Sequence, residues 1–592
     1  MTDRLARARG FLRERLGGPE ASSSLIEGGA SFAYVFGAVL AFLLVVEAAT
    51  GLALAAFYSP SATDAWASVA YIQDRASWGW VVRGVHHHGG AAIVVVAGLH
   101  LVQTAVAGAY RRPRELVWWL GVLLLVLVLA WAVTGYVLRW DQAGFWANRV
   151  EMQIASGTPL VGQQVREVAI GGNEYGNLTL TRFYALHVIL LPAIVTLVTV
   201  FHVRLARRHG PTPLRARPAS PRWPDQALRN AIAMAIVFAI LLGYVVSQHG
   251  ADLAAPADAS RAYDARPLWY LRWLFELRTL TNSELVALVA PAVVGGFLVG
   301  LPLLDTGPDR APRRRLVWLA ACAGLFAVIG ALTVMSLARD AGDDALAKRR
   351  VEADQLATRA RMLARENGVP VTGAHDIYAT APHYTARAIY TERCANCHDA
   401  ESKERKGPII AAGHGDRAWL KAFLVDPRHD RFWGKTKLVA RTLEAEAAEK
   451  EDSPSAAIDA AEFTRAMPPV TVTGKDLEDL VEFVYAQSGA PDVTEAKQQA
   501  GAKVYADASC DDCHASKEGE VGASAPNLFG LGSTAYYTDF VGNPKLPIHM
   551  NADKSEMPRF DRELSHAERE ALAIYLDWLR TATVADVEAL AD

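Results

Sequence analysis

The hydrophobic positions divide the chain into two parts at about residue 338. Before that point, apolar residues form long runs separated by short polar segments, whereas after it they are scattered through charged, alanine-rich sequence. Seven runs are long enough to cross a bilayer as α-helices, and they cover about residues 32–57, 81–109, 116–138, 183–206, 228–248, 284–304 and 316–338. The pattern predicts an all-α protein: a polytopic bundle of seven membrane helices followed by two small α-helical domains.

Basic residues mark one side of the predicted bundle. They form clusters within residues 4–15, 111–114, 204–222 and 310–315. With seven crossings these clusters lie on the same side, which the positive-inside rule makes cytoplasmic. We therefore expect a multi-pass protein of a bacterial inner membrane, with a cytoplasmic N-terminal segment (1–30) and with everything after residue 338 in the periplasm. No cleavable signal peptide is evident, because Met1 to Gly18 has no apolar core.

Composition narrows the classes of function. The chain has 592 residues, more than one compact core needs, and 51% of them are hydrophobic. Its net charge is −3, and its arginines lie in short loops beside apolar runs, so no nucleic-acid partner is expected. Of the five cysteines, Cys322 lies in an apolar run and is predicted to be a small buried hydrophobe.

The other four cysteines predict covalent haem attachment. They form two Cys-x-x-Cys-His motifs, Cys394/Cys397/His398 and Cys510/Cys513/His514. In such a motif the thiols add to the haem vinyl groups and the histidine binds the iron. Zinc binding is the alternative, but no further cysteine pair is present to complete a tetrahedral site.

A sixth iron ligand is expected in a loop some tens of residues downstream of each motif. Methionine beside proline is a suitable choice, because a methionine ligand raises the potential of the haem. Met467 (AMPP) and Met557 (EMPRF) fit this description, and Met550 competes with Met557. The alternative for each methionine is an ordinary core or loop residue.

The sequence after residue 338 divides further. Residues 339–375 are charged and alanine-rich, which predicts a periplasmic helical linker without an obvious buried face. Residues 376–490 and 491–592 each begin just before a Cys-x-x-Cys-His motif and end in an amphipathic helix pattern, at 474–487 and 565–580. We therefore expect two tandem copies of one cytochrome c unit.

Four histidines in apolar runs predict a second kind of haem site, since polar rings are rare in the bilayer and are functional candidates there. Two lie on each of two runs, His86 with His100 and His187 with His202. Intervals of fourteen and fifteen residues are about four helical turns, so each pair shares a face and is separated by roughly 21 Å. Two facing helices of this kind would hold two bis-histidine haems. His87 and His88 leave the identity of the first ligand ambiguous by spacing alone.

Glycines in the first and third runs repeat the histidine spacing. They are Gly37 with Gly51 and Gly121 with Gly135, each pair fourteen residues apart. Glycine leaves room where a porphyrin lies against a helix. A helix-packing contact is the alternative for any one of them, but the matched pairs favour the haem interpretation.

Residues 20–340 resemble the cytochrome b of bc and b6f quinol oxidoreductases. The resemblance is carried by SATDAWASVAYIQDRASWGW (61–80), Arg83-x-x-His86-x-x-Gly89, PRELVW (113–118), TGYVLRWDQ (134–142), TLTRFYALH (179–187), RPLWY (266–270) and LPLLD (301–305). It implies a four-helix di-haem domain at 31–210 and a three-helix domain, like subunit IV of b6f, at 211–338. The soluble blocks resemble class I cytochromes c.

The resemblance also implies roles for residues. His86 pairs with His187 at the low-potential haem near the periplasm, and His100 pairs with His202 at the high-potential haem near the cytoplasm; Arg83 is expected among the haem-binding residues. The b6f branch binds a further haem through a cysteine where this chain has Val35, so no third membrane haem is expected. Near the cytoplasmic surface, Arg207 and Asp225 could border a quinone-reducing site, with solvated loop charges as the alternative.

Some positions depart from the family pattern. The family's Pro-Glu-Trp-Tyr motif, whose glutamate takes a proton from quinol, reads Pro267-Leu268-Trp269-Tyr270 here. Leucine accepts no proton, so Glu276 or Glu151 is expected to replace it, with an ordinary helix-end carboxylate as the alternative. In addition, Arg139 replaces a proline before Trp140, and Gln103 replaces an arginine that contacts a haem propionate, a role open to Arg111 or Arg112.

The sequence thus predicts the core subunit of a quinol:cytochrome c oxidoreductase with two b-type and two c-type haems. Quinol would be oxidised near Trp140 and Tyr270. The expected partners are membrane quinone, a separate Rieske iron–sulfur protein, a periplasmic electron acceptor and a second copy of the chain. The alternative is an electron conduit that does not bifurcate, in which Leu268 records the loss of the bifurcating pocket.

Overall fold

The computed structural model of the chain describes residues 11, 14–16, 25–213, 218–307, 309–450, 465–549 and 555–590. Most residues of the first basic cluster, and Met550, lie outside these ranges. The chain forms two compact units, Met1–Ile377 and Tyr378–Asp592. Each is described by itself.

The first unit is almost entirely helical. Its one small sheet pairs β1 (Leu25–Ile26) antiparallel with β2 (Ser220–Pro221). Its α-helices in the described residues are α1 (Phe36–Ala55), α2 (Ala65–Asp74), α3 (Gly79–Val106), α4 (Glu115–Val137), α5 (Gln142–Ser156), α6 (Gly162–Ile170), α7 (Asn177–Tyr184), α8 (Leu191–His209), α9 (Ala227–Ser247), α10 (Arg272–Thr281), α11 (Glu284–Leu304), α12 (Leu316–Ala341) and α13 (Asp344–Glu366).

Seven helical segments in the described part of the chain are long and apolar enough to cross a membrane. They are Phe36–Ala55, Gly79–Val106, Glu115–Val137, Asn177–His209, Arg222–Ser247, Leu285–Leu304 and Pro312–Ala341. This confirms the predicted fold class. Within the bundle α1 packs along α3, and α4 packs along α8, so the two histidine-bearing helices each lie beside a glycine-bearing helix.

A buried polar cluster fixes the end of α3 to the loop between α11 and α12. Asp305 is 3% exposed and accepts hydrogen bonds from Tyr110 Oη at 2.5 Å and from Arg315 Nε at 2.9 Å. Arg111 Nη2 also donates to Asp305. Since an unpaired buried charge is costly, these partners must stay together. The cluster accounts for the final aspartate of the LPLLD motif, and it engages Arg111.

The segment after the last membrane helix differs in one respect from the expectation. Helix α13 has a buried face, formed by Leu346, Ala357, Ala360 and Leu363. Arg361 at the same level donates to Asp74 at the end of α2. The pattern was hard to see in the sequence because two of the four buried positions are alanines, which carry little hydrophobic signal.

The second unit is also helical. Its α-helices in the described residues are α14 (Pro382–Ile389), α15 (Ala395–His398), α16 (Arg417–Val425), α17 (Lys437–Lys450), α18 (Gly474–Ala486), α19 (Glu495–Asp507), α20 (Thr534–Gly542), α21 (His566–Leu579) and α22 (Val584–Ala589). A π-helical turn, Tyr390–Cys394, joins α14 to α15. Two amphipathic helices, α18 and α21, match the patterns read from the sequence.

Two hydrophobic cores are seen among the described residues of the second unit, and each draws helices from both halves of the unit. Helix α14 packs against α21, and α18 packs against α19. The first core therefore joins residues near 386 to residues near 575, and the second joins residues near 480 to residues near 505. The helix pairing crosses the boundary expected near residue 490.

Candidate haem and quinone sites

The structure brings His86 and His187 together across the bundle. Their ring centroids lie 6.1 Å apart with an interplanar angle of 82°. A metal ion bound by two imidazole nitrogens at about 2.0 Å each would separate the ring centres by roughly 6 Å. The two rings therefore fit the axial ligands of one iron, the pairing that the family resemblance implies.

His100 and His202 form the second pair, with ring centroids 6.5 Å apart and the same interplanar angle of 82°. A π-helical turn at Ala185–Leu190 contains His187 and precedes α8. Such a turn accommodates one extra residue in a helix. It therefore accounts for the fifteen-residue interval from His187 to His202, against fourteen from His86 to His100, while both rings still meet their partners.

Hydrogen bonds determine which nitrogen of the rings is free. His187 Nδ1 lies 3.1 Å from Trp131 O, and His202 Nδ1 lies 3.0 Å from Val117 O. A carbonyl oxygen only accepts, so each Nδ1 carries the proton and each Nε2 keeps the lone pair that binds a metal. The donor set therefore suits haem iron.

The predicted glycines leave space beside the histidine rings. A Cβ at Gly135 would lie 2.5 Å from His187 Cε1, one at Gly51 would lie 3.0 Å from His86 Cε1, and one at Gly121 would lie 3.3 Å from His202 Cε1. A Cβ at Gly37 would have no neighbour within 4 Å. Three of the four glycines therefore make room for a histidine ring, and the predicted contact with a porphyrin stays a prediction.

The sequence did not predict a role for Glu47, which contacts the candidate haem ligand His86. Its Oε2 lies 3.0 Å from His86 Nδ1, and its side chain is 8% exposed. A Cβ at Gly89 would lie 2.0 Å from Glu47 Oε1, which explains the glycine of the Arg83-x-x-His86-x-x-Gly89 motif. The available signal was that Glu47 is the one acidic residue in the first apolar run.

The neighbours of His86 on α3 make other contacts. His87 Nε2 lies 3.6 Å from Asp252 Oδ1, and His88 Nε2 lies 3.0 Å from Gly250 O. The buried Arg83 guanidinium donates to Gln73 Oε1 and to the backbone oxygens of residues 251 and 252. Of the three consecutive histidines, His86 is the one that faces His187.

Trp140, Glu151 and Tyr270 are three of the residues predicted to take part in quinol oxidation. Trp140 is buried and has a φ of 47°, a left-handed conformation that is unusual for a bulky residue. Asn148 Nδ2 donates to Glu151 Oε2 at 3.3 Å, and burial raises the pKa of Glu151 to about 7. Burial, and then the nearby Glu151 carboxylate, raise the pKa of the Tyr270 hydroxyl.

The second predicted carboxylate has a different environment. Glu276 is fully buried, and its Oε1 accepts from Arg339 Nη2 at 2.6 Å. The ion pair engages the Glu276 carboxylate with a residue of α12. The structure thus brings Glu151, and not Glu276, into the electrostatic environment of Tyr270.

The residues suggested for a cytoplasmic quinone site are separated from the buried core. Arg207 is exposed near the end of α8, and Asp225 is partly exposed in the turn before α9, where its backbone oxygen accepts from Arg229. Among the candidates for the missing propionate contact, Arg111 is engaged with Asp305, and Arg112 is paired with Glu14 at 2.8 Å.

The histidines of the two Cys-x-x-Cys-His motifs have matching environments. His398 Nδ1 donates to Pro408 O at 2.8 Å, and His514 Nδ1 donates to Pro526 O at 2.8 Å. Each Nε2 is therefore the nitrogen available to a metal. Burial lowers the pKa of both histidines, which favours the neutral, metal-binding form. None of the four motif cysteines is in a disulfide, and Cys322 is buried as expected.

Comparisons with known proteins find a family match in each of the two parts of the chain. Residues 22–210 match the family "Cytochrome b/b6/petB", and residues 496–576 match "Cytochrome C oxidase, cbb3-type, subunit III". The chain is similar to the cytochrome b6 of Rippkaea orientalis, with 36% identity over 177 residues, which are 30% of this chain and 80% of the relative.

The chain is also similar to a second curated protein and to a solved structure. The menaquinol:cytochrome c reductase cytochrome b subunit of Bacillus subtilis is 39% identical over 181 residues, 30% of this chain and 81% of the relative. A solved structure titled "Hyperthermophilic respiratory Complex III" aligns with a TM-score of 0.49 at 24% identity, covering 57% of this chain and 90% of that one.

Proposed function

This chain belongs to the cytochrome b/b6 family, and from that premise we propose that it is the core subunit of a membrane quinol:cytochrome c oxidoreductase of the bc type. The observation that carries the proposal is the presence of two facing histidine pairs in the membrane unit, with ring centroids 6.1 and 6.5 Å apart, on the same chain as two Cys-x-x-Cys-His motifs. The similar menaquinol:cytochrome c reductase subunit supports the substrate class.

The residues present would hold two b-type and two c-type haems. His86 with His187, and His100 with His202, would bind the b-type irons, while the motif cysteines and histidines would bind the c-type haems. When bound, the four haems supply one-electron transfer, both across the membrane and toward a periplasmic acceptor. The chain itself sets the neutral form and the orientation of His187, His202, His398 and His514 through the Nδ1 hydrogen bonds.

Oxidising a quinol also releases protons, which need an acceptor. We assign this role to Glu151, because Leu268 occupies the family's glutamate position. A carboxyl group with a pKa of about 7 accepts a proton reversibly near neutral pH. Tyr270 would orient the quinol hydroxyl beside it, and the buried Trp140 would limit access of water. Glu276 would stay paired with Arg339 and play no part in proton transfer.

The proposed setting is a bacterial inner membrane, with the N-terminus in the cytoplasm and the c-type unit in the periplasm. A Rieske iron–sulfur protein on a separate chain would take the first electron, and a homodimer with coupled proton translocation would follow the family pattern. Arg207 and Asp225 remain the proposed border of a quinone-reducing site on the cytoplasmic side.

A second function is favoured by one observation, the leucine at position 268. In that case the chain would be a non-bifurcating electron conduit between quinone and periplasmic carriers. The two functions differ in how the electrons of one quinol divide. A bifurcating enzyme sends one electron to each branch, whereas a conduit sends both the same way.

One experiment separates the two. The purified complex, with quinol as the reductant, is treated with an inhibitor of the quinone-reducing pocket and then with an oxidant. Extra reduction of b-type haem on adding the oxidant, together with a co-purifying Rieske protein, is the expected result. Its absence would leave the conduit as the function. A pyridine haemochrome spectrum should give equal amounts of b-type and c-type haem, two of each, and any other ratio would contradict the proposed haem content.

A further inference from the structure

The second unit holds its helices in an exchanged arrangement. The first core contains Ala386 and Tyr390, which flank the first motif, together with Leu572 and Tyr575 from α21. The Tyr390 and Tyr575 ring centroids lie 6.1 Å apart. The helix that leads into the first motif is thus paired with the last long helix of the second half.

Two further contacts join the segment around the first motif to α21. His383 stacks on Trp578 with centroids 4.9 Å apart, and Gly413 N donates to Leu579 O at 2.7 Å. The side chains of His383 and Trp578 are both part-buried. Contacts at the C-terminal end of α21 therefore hold the first motif's segment.

The second core is the reciprocal arrangement. The helix after Met467, α18, packs against α19, the helix that leads into the second motif. Phe483 and Tyr505 have ring centroids 4.8 Å apart. A Cβ at Gly501 would lie 2.0 Å from Asp479 O, so the two backbones touch at that point and only glycine fits.

The candidate methionines follow the exchange. Met557 and Cys394 both pack against the first core, whereas Met467 and Cys510 both pack against the second. Val470, just after Met467, donates its backbone N–H to Leu424 O, and Leu424 belongs to the second core. Each methionine therefore packs against the core that contains a motif cysteine from the other half of the sequence.

The chain crosses between the cores in the loops that follow each motif. Ile409 N donates to Arg431 O at 2.9 Å, and Asn527 N donates to Ile548 O at 3.0 Å. Each of these two hydrogen bonds joins residues of the same half of the sequence. The exchanged part is the helix and motif segment.

We propose that the two c-type irons are ligated across the halves of the unit, one by His398 with Met557 and the other by His514 with Met467. The ligation rests on the proposed function, since it requires haem on both motifs. A haem bound to Cys394 and Cys397 lies in the core that contains Met557, so that methionine is the thioether within reach. The two c-type sites would then be interlocked: neither half of the sequence contains a complete ligand set.

Single-haem variants test the ligand pairing. In the full chain carrying Cys510→Ala and Cys513→Ala, the one remaining c-type haem is attached to the first motif. In that background Met557→His should abolish the charge-transfer band of methionine-ligated ferric haem and lower the midpoint potential. Met467→His should leave both unchanged. The reverse is expected in the Cys394→Ala, Cys397→Ala background, and loss of the band through the methionine nearer in sequence to the attached motif would overturn the proposal.

A photo-cross-link tests the helix exchange without depending on haem spectra. A photoreactive phenylalanine analogue at position 383 of the full chain should join the peptide containing Trp578, as mass spectrometry of the digest would show. A cross-link to the α18 peptide, residues 474–486, would overturn the exchange. If neither motif carries haem while the Trp578 cross-link forms, the proposed function fails and the exchange stands.

Discussion

The membrane unit and the soluble unit both bring pairs of ligands together, but by different routes. In the membrane unit, the paired histidines sit on helices whose direction the bilayer restricts, so nearly equal spacing on two helices, with one π-helical turn, is enough to align both pairs. In the soluble unit no such restriction exists, and the helix before the first motif packs against the helix at the far end of the chain. Ligand spacing along the sequence is therefore a reliable guide to pairing in the first case and a poor one in the second.

Deleting residues 491–592 should have the largest effect, because it should remove c-type haem from the soluble unit and leave the membrane unit intact. The deletion removes α21 and Met557 as well as the second motif, so the segment around the first motif loses its core partner. We expect loss of both c-type haems, with the b-type spectrum retained, as measured by haemochrome analysis and haem-stained gels.

The matched control for the deletion is the pair of substitutions Cys510→Ala and Cys513→Ala in the full chain. These keep the helices and should remove only half of the c-type haem. A truncated chain that keeps one methionine-ligated c-type haem would show that the first half forms its own core.

Replacing one membrane histidine should remove one haem. His202→Leu removes the partner of His100, so the b-type haem content should fall from two to one, while the site of His86 and His187 keeps its spectrum. His209→Leu on the same helix is the control, because His209 faces no second histidine ring among the described contacts. Retention of both b-type haems with unchanged spectra in His202→Leu would contradict the pairing.

Glu151→Gln should slow quinol oxidation about 100-fold, a typical effect of removing a general base. Only the carboxylate form accepts a proton, and burial raises the pKa of Glu151 to about 7. The rate of the unmodified enzyme should therefore rise as the pH increases through about 7, and this rise should be lost in Glu151→Gln.

Glu167→Gln, an exposed carboxylate on α6, serves as the control for charge. A pH profile that keeps its rise in Glu151→Gln, or loses it in Glu276→Gln, would assign the proton to another group.

Substituting the glycines should give the smallest and most graded effects. Gly135→Ala places a Cβ 2.5 Å from His187 Cε1, whereas Gly121→Ala places one 3.3 Å from His202 Cε1. Overpacking costs about 1–3 kcal/mol, so Gly135→Ala should disturb its b-type haem more than Gly121→Ala, measured as the shift in midpoint potential and the haem occupancy. Gly243→Ala on α9, where a Cβ would meet nothing within 4 Å, should change neither. Equal effects of Gly135→Ala and Gly121→Ala would contradict a role in seating the ligand rings.

The sequence by itself determined the seven membrane helices, the four intramembrane histidines and the two Cys-x-x-Cys-His motifs. Long apolar runs can satisfy their backbone groups in lipid only as helices, so hydropathy leaves little choice of local structure. The contact between Glu47 and His86, the buried face of α13 and the different environments of Glu151 and Glu276 were decided by the tertiary structure. These depend on which side chains meet from distant segments, and no local periodicity encodes that.

The exchange of helices in the soluble unit is the clearest case of what only the tertiary structure decided. The two halves have the same pattern of motif, loop, methionine and amphipathic helix, so either pairing of α14 and α19 with α18 and α21 agrees with the sequence. The choice depends on the fit of specific pairs, such as Gly501 against the backbone of α18 and Tyr390 against Tyr575. Close packing of this kind depends on three-dimensional shape, which hydrophobic patterning does not specify.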